Sequence, residues 1–190
     1  MELTEKTVEQ EYIYKGKILN LRRDMAELPN GNLASREVVE HHGGVTVIAT
    51  TDDDDVLFVR QFRYPSGELL LELPAGKLEK DEEPLSAAVR ELHEETGAVA
   101  ERIYDLGWFY VSPGYTTEKL YLYAAEGLTF SEQQLDADEF LNVERMSFDD
   151  ALKTALGEGF HDAKTDTAIL KLAHLRQSGM PMPVISNKSS

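Results

Sequence analysis

Cysteine is missing from all 190 residues, which removes disulfides, thiolate nucleophiles and Cys-based zinc or iron–sulfur sites at once. Any metal must therefore sit on oxygen or nitrogen. No run of about 18 apolar residues is present to span a bilayer, and the opening stretch MELTEKTVEQEY is polar and acidic where a signal peptide is basic and then apolar. A cytoplasmic protein with no membrane partner is expected. Positive charge is also scarce: 19 Lys and Arg stand against 35 Asp and Glu, and the net charge near −16 repels phosphate backbones and anionic membranes. A nucleic-acid partner is disfavoured. A small phosphorylated substrate is not, because a few placed Arg residues and bound divalent cations invert the local field of an acidic protein.

What is present is enough apolar sequence, 42%, to bury a sizeable core in one domain with an appendage. Residues 9–42 read as extended segments, and the Asn30-Gly31 pair between them signals a hairpin. Strand-like runs follow at 45–49, 56–62 and 69–73, with an acidic turn at 52–55. Over 83–96 the period changes: Leu85, Ala88, Val89 and Leu92 recur at i, i+3, i+4 and i+7, one face of a helix. Pro84 suits its first turn and Gly97 its C-terminal cap. Further strands are expected at 103–111, 120–124 and 140–146, then a helix capped by Ser147 and running to 156, and a last helix over 165–177. This order predicts an α+β fold, a sheet sandwiched by helices, with a β appendage at 1–42, a main domain at 43–179 and a mobile tail at 180–190.

The chemistry concentrates on the helix over 83–96. Glu91, Glu94 and Glu95 project within an arc of roughly 100° beside the apolar stripe, where like charges at i, i+3 and i+4 repel. Arg90 offsets them locally by pairing with Glu94, and a bound cation would relieve the rest. A solvated acidic face would be the plain reading of such a helix in isolation. Just upstream, however, lies Leu73-Pro74-Ala75-Gly76-Lys77-Leu78-Glu79, a strand end that turns at a glycine and brings a backbone carbonyl towards the same cation. A hard, oxygen-only site of this kind suits Mg²⁺ or Mn²⁺.

Gly76, five residues, Glu82, seven residues, then Arg90-Glu91-Leu92-His93-Glu94-Glu95-Thr96-Gly97-Ala98 resembles the Nudix box at every fixed position. Ala98, smaller than the aliphatic residue usual there, bears on packing alone. Phe62-Arg63-Tyr64-Pro65, Leu71 to Gly76 and Ser112-Pro113-Gly114-Tyr115 look like the matching segments of the ADP-ribose pyrophosphatase subfamily, and Pro113 stands sixteen residues beyond Gly97, the subfamily's mark. The resemblance implies a Nudix α/β/α sandwich with a mixed sheet. It also implies hydrolysis of the pyrophosphate of a nucleoside diphosphate sugar, best ADP-ribose, to AMP and ribose 5-phosphate, with two or three Mg²⁺ ions per site. A pyrophosphatase for another nucleoside diphosphate sugar, or a sensor that binds ADP-ribose without cleaving it, is the alternative.

By that resemblance Glu91 and Glu95 are the main metal ligands, the Ala75 carbonyl is another, and Glu94 is an occasional one. Arg90 and Glu82 orient the carboxylates, and Gly76 and Gly97 are backbone devices that let the chain turn. In-line attack by water also needs a proton acceptor. Glu139, on the acidic loop Asp136-Ala137-Asp138-Glu139 where some relatives of the subfamily carry a catalytic Glu, is by that resemblance the expected base, with Asp138 as fallback. Arg63 looks like the family's phosphate-contacting arginine, Arg36 a second substrate contact from the appendage, and Pro113 and Gly114 part of the substrate loop. His41, His42 and His93 receive no chemistry, and Trp108, Phe109 and Tyr110 default to core positions. Tyr12, Tyr14, Ile18 and Leu19 give the appendage too little core to stand alone, so a homodimer is expected in which it packs on or exchanges with the partner subunit.

Overall fold

A computed structural model describes residues 2–137, 139–182 and 184–185. The chain divides into two compact units, one made of residues up to Gly43 together with Phe109–Lys119, the other of Gly44–Trp108 together with residues from Leu120 onward.

In the first unit, β1 (Lys6–Lys15), β2 (Leu19–Glu27) and β3 (Leu33–His41) form an antiparallel sheet in that order. The β2–β3 turn sits where the Asn-Gly signal put it. Gly31 adopts φ +83°, a left-handed conformation open to glycine, and its N–H donates to the Leu28 carbonyl at 2.9 Å, while Asn30 Oδ1 accepts from Asn32 N at 3.0 Å. At the open edge, Val39 donates to the Tyr115 carbonyl at 2.8 Å and accepts from Thr117 N at 3.0 Å. A segment more than seventy positions away thereby satisfies two backbone groups of β3. Such a pairing carries no local sequence signal.

The second unit holds two sheets. β5 (Asp55–Arg63) lies between β10 (Leu141–Ser147) and β6 (Glu68–Glu72), all antiparallel. The other sheet runs β11 (Val184–Ile185), β8 (Ala98–Tyr110), β9 (Lys119–Phe130), β4 (Gly44–Ala49) and β7 (Ala75–Lys77). Its β4–β9 pair is parallel and its β4–β7 pair antiparallel, so the sheet is mixed. Every residue of β4 is buried, as a strand covered on both faces must be. Val45, Val47 and Ala49 pack with Ala87, Ala88 and Leu92 of α1 (Pro84–Thr96). α3 (Ala163–Ser178), which packs beside α2 (Phe148–Leu156), also contacts β4. Alternation along β4 turns Thr46 and Ile48 away from the α1 side, giving helix, sheet, helix. Each fully buried Val or Leu here contributes about 1.5–3 kcal/mol, which anchors α1 and its acidic residues to the sheet.

The structure differs from the expectations in extent and in detail: β8 starts at Ala98 and not at 103, and β9 runs on to Phe130. α3 begins at Ala163 because Asp162 caps it, accepting from Thr165 N, a polar first turn that an apolar period does not reveal. Trp108 and Tyr110, expected in the core, are exposed, the end of β8 alternating between half-buried and exposed positions. Within the segment expected to be a mobile tail, Val184 and Ile185 pair with Tyr104 and Ile103, while Pro183 and residues 186–190 lie outside the described residues. Among the described residues no helix is long and apolar enough to cross a membrane.

Candidate active site

The site is built on α1. Glu83 precedes the helix, Pro84 occupies its first turn, and Gly97 at φ +70° closes it by donating to the His93 carbonyl at 2.7 Å. A side chain at Gly97 would run into the Ser131 carbonyl, so glycine is required there by both conformation and space.

The acidic face is not solvated. Glu95 is only 2% exposed and Glu91 8%, so both carboxylates lie within the interior rather than beside it, contrary to the position that helical geometry alone suggested. Glu95 accepts the Ala75 N–H at 2.8 Å. Burial nevertheless pushes its carboxyl up to about 8, the Ala75 bond partly opposing, with Glu91 and Glu139 adding like charge and Arg63 relieving it. Burial likewise raises Glu91 above the ordinary carboxylate range, against the pull of Arg90.

Arg90 joins more groups than its pairing with Glu94. Nε and Nη2 grip Glu82 at 2.9 and 3.0 Å, and Nη1 reaches Glu91 at 2.8 Å and Glu94 at 2.9 Å. Glu82 also accepts from Glu79 N at 2.9 Å, so it locks the turn before α1 to the guanidinium. Gly76 acts differently from the expected turn glycine. It lies inside β7, and a Cβ there would occupy the place of the Glu91 carboxylate. Close approach, not a turn, demands glycine at this position.

The loop that carries Glu139 is tied to the same helix. Ser131 N donates to the Gly97 carbonyl at 2.8 Å, Gln134 N to the Glu94 carbonyl at 3.0 Å, and the Gln133 amide to the Glu95 carbonyl. The exposed backbone acceptors at the end of α1 thus hold residues 131–134. A few residues on, Glu139 N donates to the Asp136 carbonyl at 3.0 Å, and the charge of Glu139 acts on both Glu91 and Glu95. Asp138 lies outside the described residues.

Arg63, at the end of β5, grips Glu72 at the end of β6 through Nε and Nη2, both at 2.7 Å. Glu72 is 1% exposed and also receives Lys164 Nζ, which bonds Asp162 at 2.8 Å. Neither Glu72 nor Lys164 was singled out from sequence; the only available signal was Glu72's place in the segment before Gly76. Burial by itself would raise the Glu72 carboxyl, but the Arg63 bonds and the Lys164 charge outweigh it and hold it below its ordinary 4.5. A depressed carboxylate contributes stability above its unfolded pKa and loses it as pH falls through the folded one. Thermal midpoints should therefore drop as pH falls below about 4.5, and Glu72→Gln should be less stable at neutral pH with a shallower acid limb. Parallel slopes for the two proteins across pH 5 to 3 would refute the assignment.

The remaining candidates sit in the N-terminal unit. Arg36 is bound by both Nε and Nη2 to Glu5, at 2.9 and 2.6 Å. Pro113 and Gly114 are exposed in a turn closed by Tyr115 N on the Ser112 carbonyl at 3.2 Å. His41 Nδ1 accepts from Gly43 N at 3.0 Å, an ordinary turn contact.

Among the described residues no three Asp, Glu or His side chains already converge as a cation cage, and Arg90 bonds both Glu91 and Glu94. The donor set nonetheless fits a hard divalent cation. Glu91, Glu94, Glu95 and Glu139 offer only oxygen, two of the four are buried, and both buried carboxyls are pushed towards protonation by burial and by their neighbours' charge.

The chain matches the NUDIX domain over residues 40–165 and the nucleoside diphosphate sugar hydrolase N-terminal domain over 5–39. It is 44% identical over 169 residues to an ADP-ribose pyrophosphatase of Bacillus subtilis (strain 168), covering 88% of this chain and 91% of that protein. It is 42% identical over 167 residues to a methanol dehydrogenase activator of Bacillus methanolicus, covering 87% and 90%. Its fold matches the crystal structure of an ADP compounds hydrolase with a TM-score of 0.82 at 20% identity, over 95% of this chain and 100% of the other. Hydrolases of this family generally use divalent metal ions. With the domain match spanning the acidic helix and the strands that support it, the chain belongs to the NUDIX family and is a hydrolase.

Proposed function

We propose that the protein hydrolyses ADP-ribose to AMP and ribose 5-phosphate, using Mg²⁺ at two or three sites. The observation that carries this reading is the placement of buried Glu91 and Glu95 against the Ala75–Gly76 strand, within the field of Glu139. Similarity along nearly the whole chain to a protein that cleaves ADP-ribose supports the substrate.

In this mechanism Glu91 and Glu95, with Glu94 and the Ala75 carbonyl, would hold the cations, which when bound would supply positive charge against that developing on the diphosphate oxygens. Arg90 and Glu82 fix the carboxylates, and Gly76 leaves the space that Glu91 occupies. Arg63 binds a phosphate oxygen, and Glu139 accepts the proton of the attacking water at its carboxylate, with the adenosyl-side phosphorus as the point of attack. Arg36, Pro113 and Gly114 are further substrate-binding residues in this reading. The protein works in the cytoplasm, and its acidic surface does not bind nucleic acid.

Turnover with Mg²⁺ should be highest on ADP-ribose within a panel that also holds GDP-mannose, dinucleotides and nucleoside triphosphates, and chelation should abolish it. Preference for a triphosphate would overturn the substrate, and binding of ADP-ribose without products would make the protein a sensor.

The proposal includes a homodimer formed through the N-terminal unit, where Tyr12, Ile13, Tyr14 and Leu19 on the three-stranded sheet and Ile18 in its first turn are exposed. Sedimentation at micromolar concentration should give twice the 21.3 kDa chain mass, and a monomer would remove this part.

A further inference from the structure

A closed ring of bonds joins the start of α3 to the segment before β7. Glu72 receives Arg63 and Lys164; Lys164 Nζ also bonds Asp162 Oδ2 at 2.8 Å; and that oxygen accepts from Thr165 Oγ1 at 2.6 Å. Thr165 Oγ1 in turn accepts the Leu73 N–H at 2.9 Å. The groups are little exposed, at 1% for Glu72, 13% for Lys164 and 16% for Asp162, whereas the Arg63 side chain is 39% exposed. Arg63 thus joins the ring through its Nε–Nη2 edge on Glu72 and has the most exposed side chain of these four groups.

The charge balance gives Lys164 a specific task. With it, the group contains two cations and two anions. Without it, Arg63 faces Glu72, Asp162 and the charge of Glu95 with no second cation, and the group carries a net negative charge in a protein already at −16. Glu72 engages only the Nε and Nη2 donors of Arg63, so the Nη1 edge remains for a second bidentate acceptor. That edge attracts an anion only while Glu72 is balanced from elsewhere. At low effective dielectric an uncompensated carboxylate in contact with the guanidinium would cancel most of its pull.

We infer that Lys164 is a positioning residue for the diphosphate: by sharing Glu72 with Arg63, it holds the fork in place and keeps its Nη1 edge positive towards a phosphate. This rests on the hydrolase reading above. It assigns to the first turn of α3 a part in substrate binding, although Lys164 itself points at a buried carboxylate and touches no substrate.

The test compares KM and kcat for ADP-ribose in Lys164→Met, Lys164→Gln, Lys164→Arg and the double variant Glu72→Gln/Lys164→Met, with Arg63→Met as reference. Loss of the Lys164 charge should raise KM about tenfold or more with a smaller change in kcat, as loss of ground-state binding does. Lys164→Gln, which keeps a hydrogen-bond donor and drops the charge, should behave like Lys164→Met, and Lys164→Arg should restore KM. Removing Glu72 together with Lys164 should bring KM back towards the wild-type value, because Arg63 then loses its contacting carboxylate and is opposed only at longer range by Glu95 and Asp162. A double variant worse than either parent, or a Lys164→Gln protein with wild-type KM, overturns the inference in favour of a packing role. If Lys164→Met does not fold, the Lys164→Gln comparison decides. Failure of the wild-type protein to hydrolyse ADP-ribose overturns the functional reading itself, an outcome distinct from wild-type turnover with KM indifferent to Lys164.

Discussion

Glu95→Gln and Glu91→Gln should each lower kcat by about two to four orders of magnitude while the protein still folds. The amide is isosteric, and its oxygen can still accept the Ala75 N–H that Glu95 receives at 2.8 Å. What is lost is a negative charge held in the interior at the cost of desolvation, 2% exposed in one case and 8% in the other. Burial that raises both carboxyls makes each charge unfavourable in the metal-free protein, so its removal should leave thermal stability unchanged or slightly higher. Activity and stability then move in opposite directions, as expected of groups kept for binding cations. The measurement is kcat at saturating Mg²⁺ alongside the thermal midpoint under chelation. A variant that retains more than half of wild-type turnover leaves the ligand set, and one that loses activity only by unfolding shows the carboxylate to be structural.

Glu139→Gln should lower kcat by about 10²- to 10⁴-fold with little change in KM, because a general base acts in the transition state and contributes little to holding the substrate. Its placement follows from the loop before it: the Gln133 side-chain amide and the Gln134 N–H donate to the Glu95 and Glu94 carbonyls, and Glu139 N donates to the Asp136 carbonyl. A carboxylate so placed adds negative charge near Glu91 and Glu95, which is unfavourable without a cation and useful with one. Reaction in ¹⁸O-water should put the label in AMP, the product of attack at the adenosyl-side phosphorus. Asp138→Asn is the control. If it is impaired and Glu139→Gln is not, the base is one residue earlier; if both are near wild type, no carboxylate of this loop takes the proton.

The spacing of Leu85, Ala88, Val89 and Leu92, with Pro84 before and Gly97 after, was sufficient to place α1 and to set Glu91, Glu94 and Glu95 on one side of it, because helical period and capping are local properties. The Asn-Gly hairpin and the Ser147 cap were legible for the same reason. What lay across the chain was not. That Glu95 and Glu91 are buried depends on β7, whose Gly76 makes room for a carboxylate, and no count along the helix reveals that depth. Arg63 reads from sequence as a phosphate-contacting arginine at a strand end; only the β5–β6 pairing and the start of α3 bring Glu72 and Lys164 to it. Residue type and local period determined which groups are available to this protein. Burial and long-range pairing decided which of them share a dielectric environment and a hydrogen bond, because both depend on what the rest of the chain excludes from water.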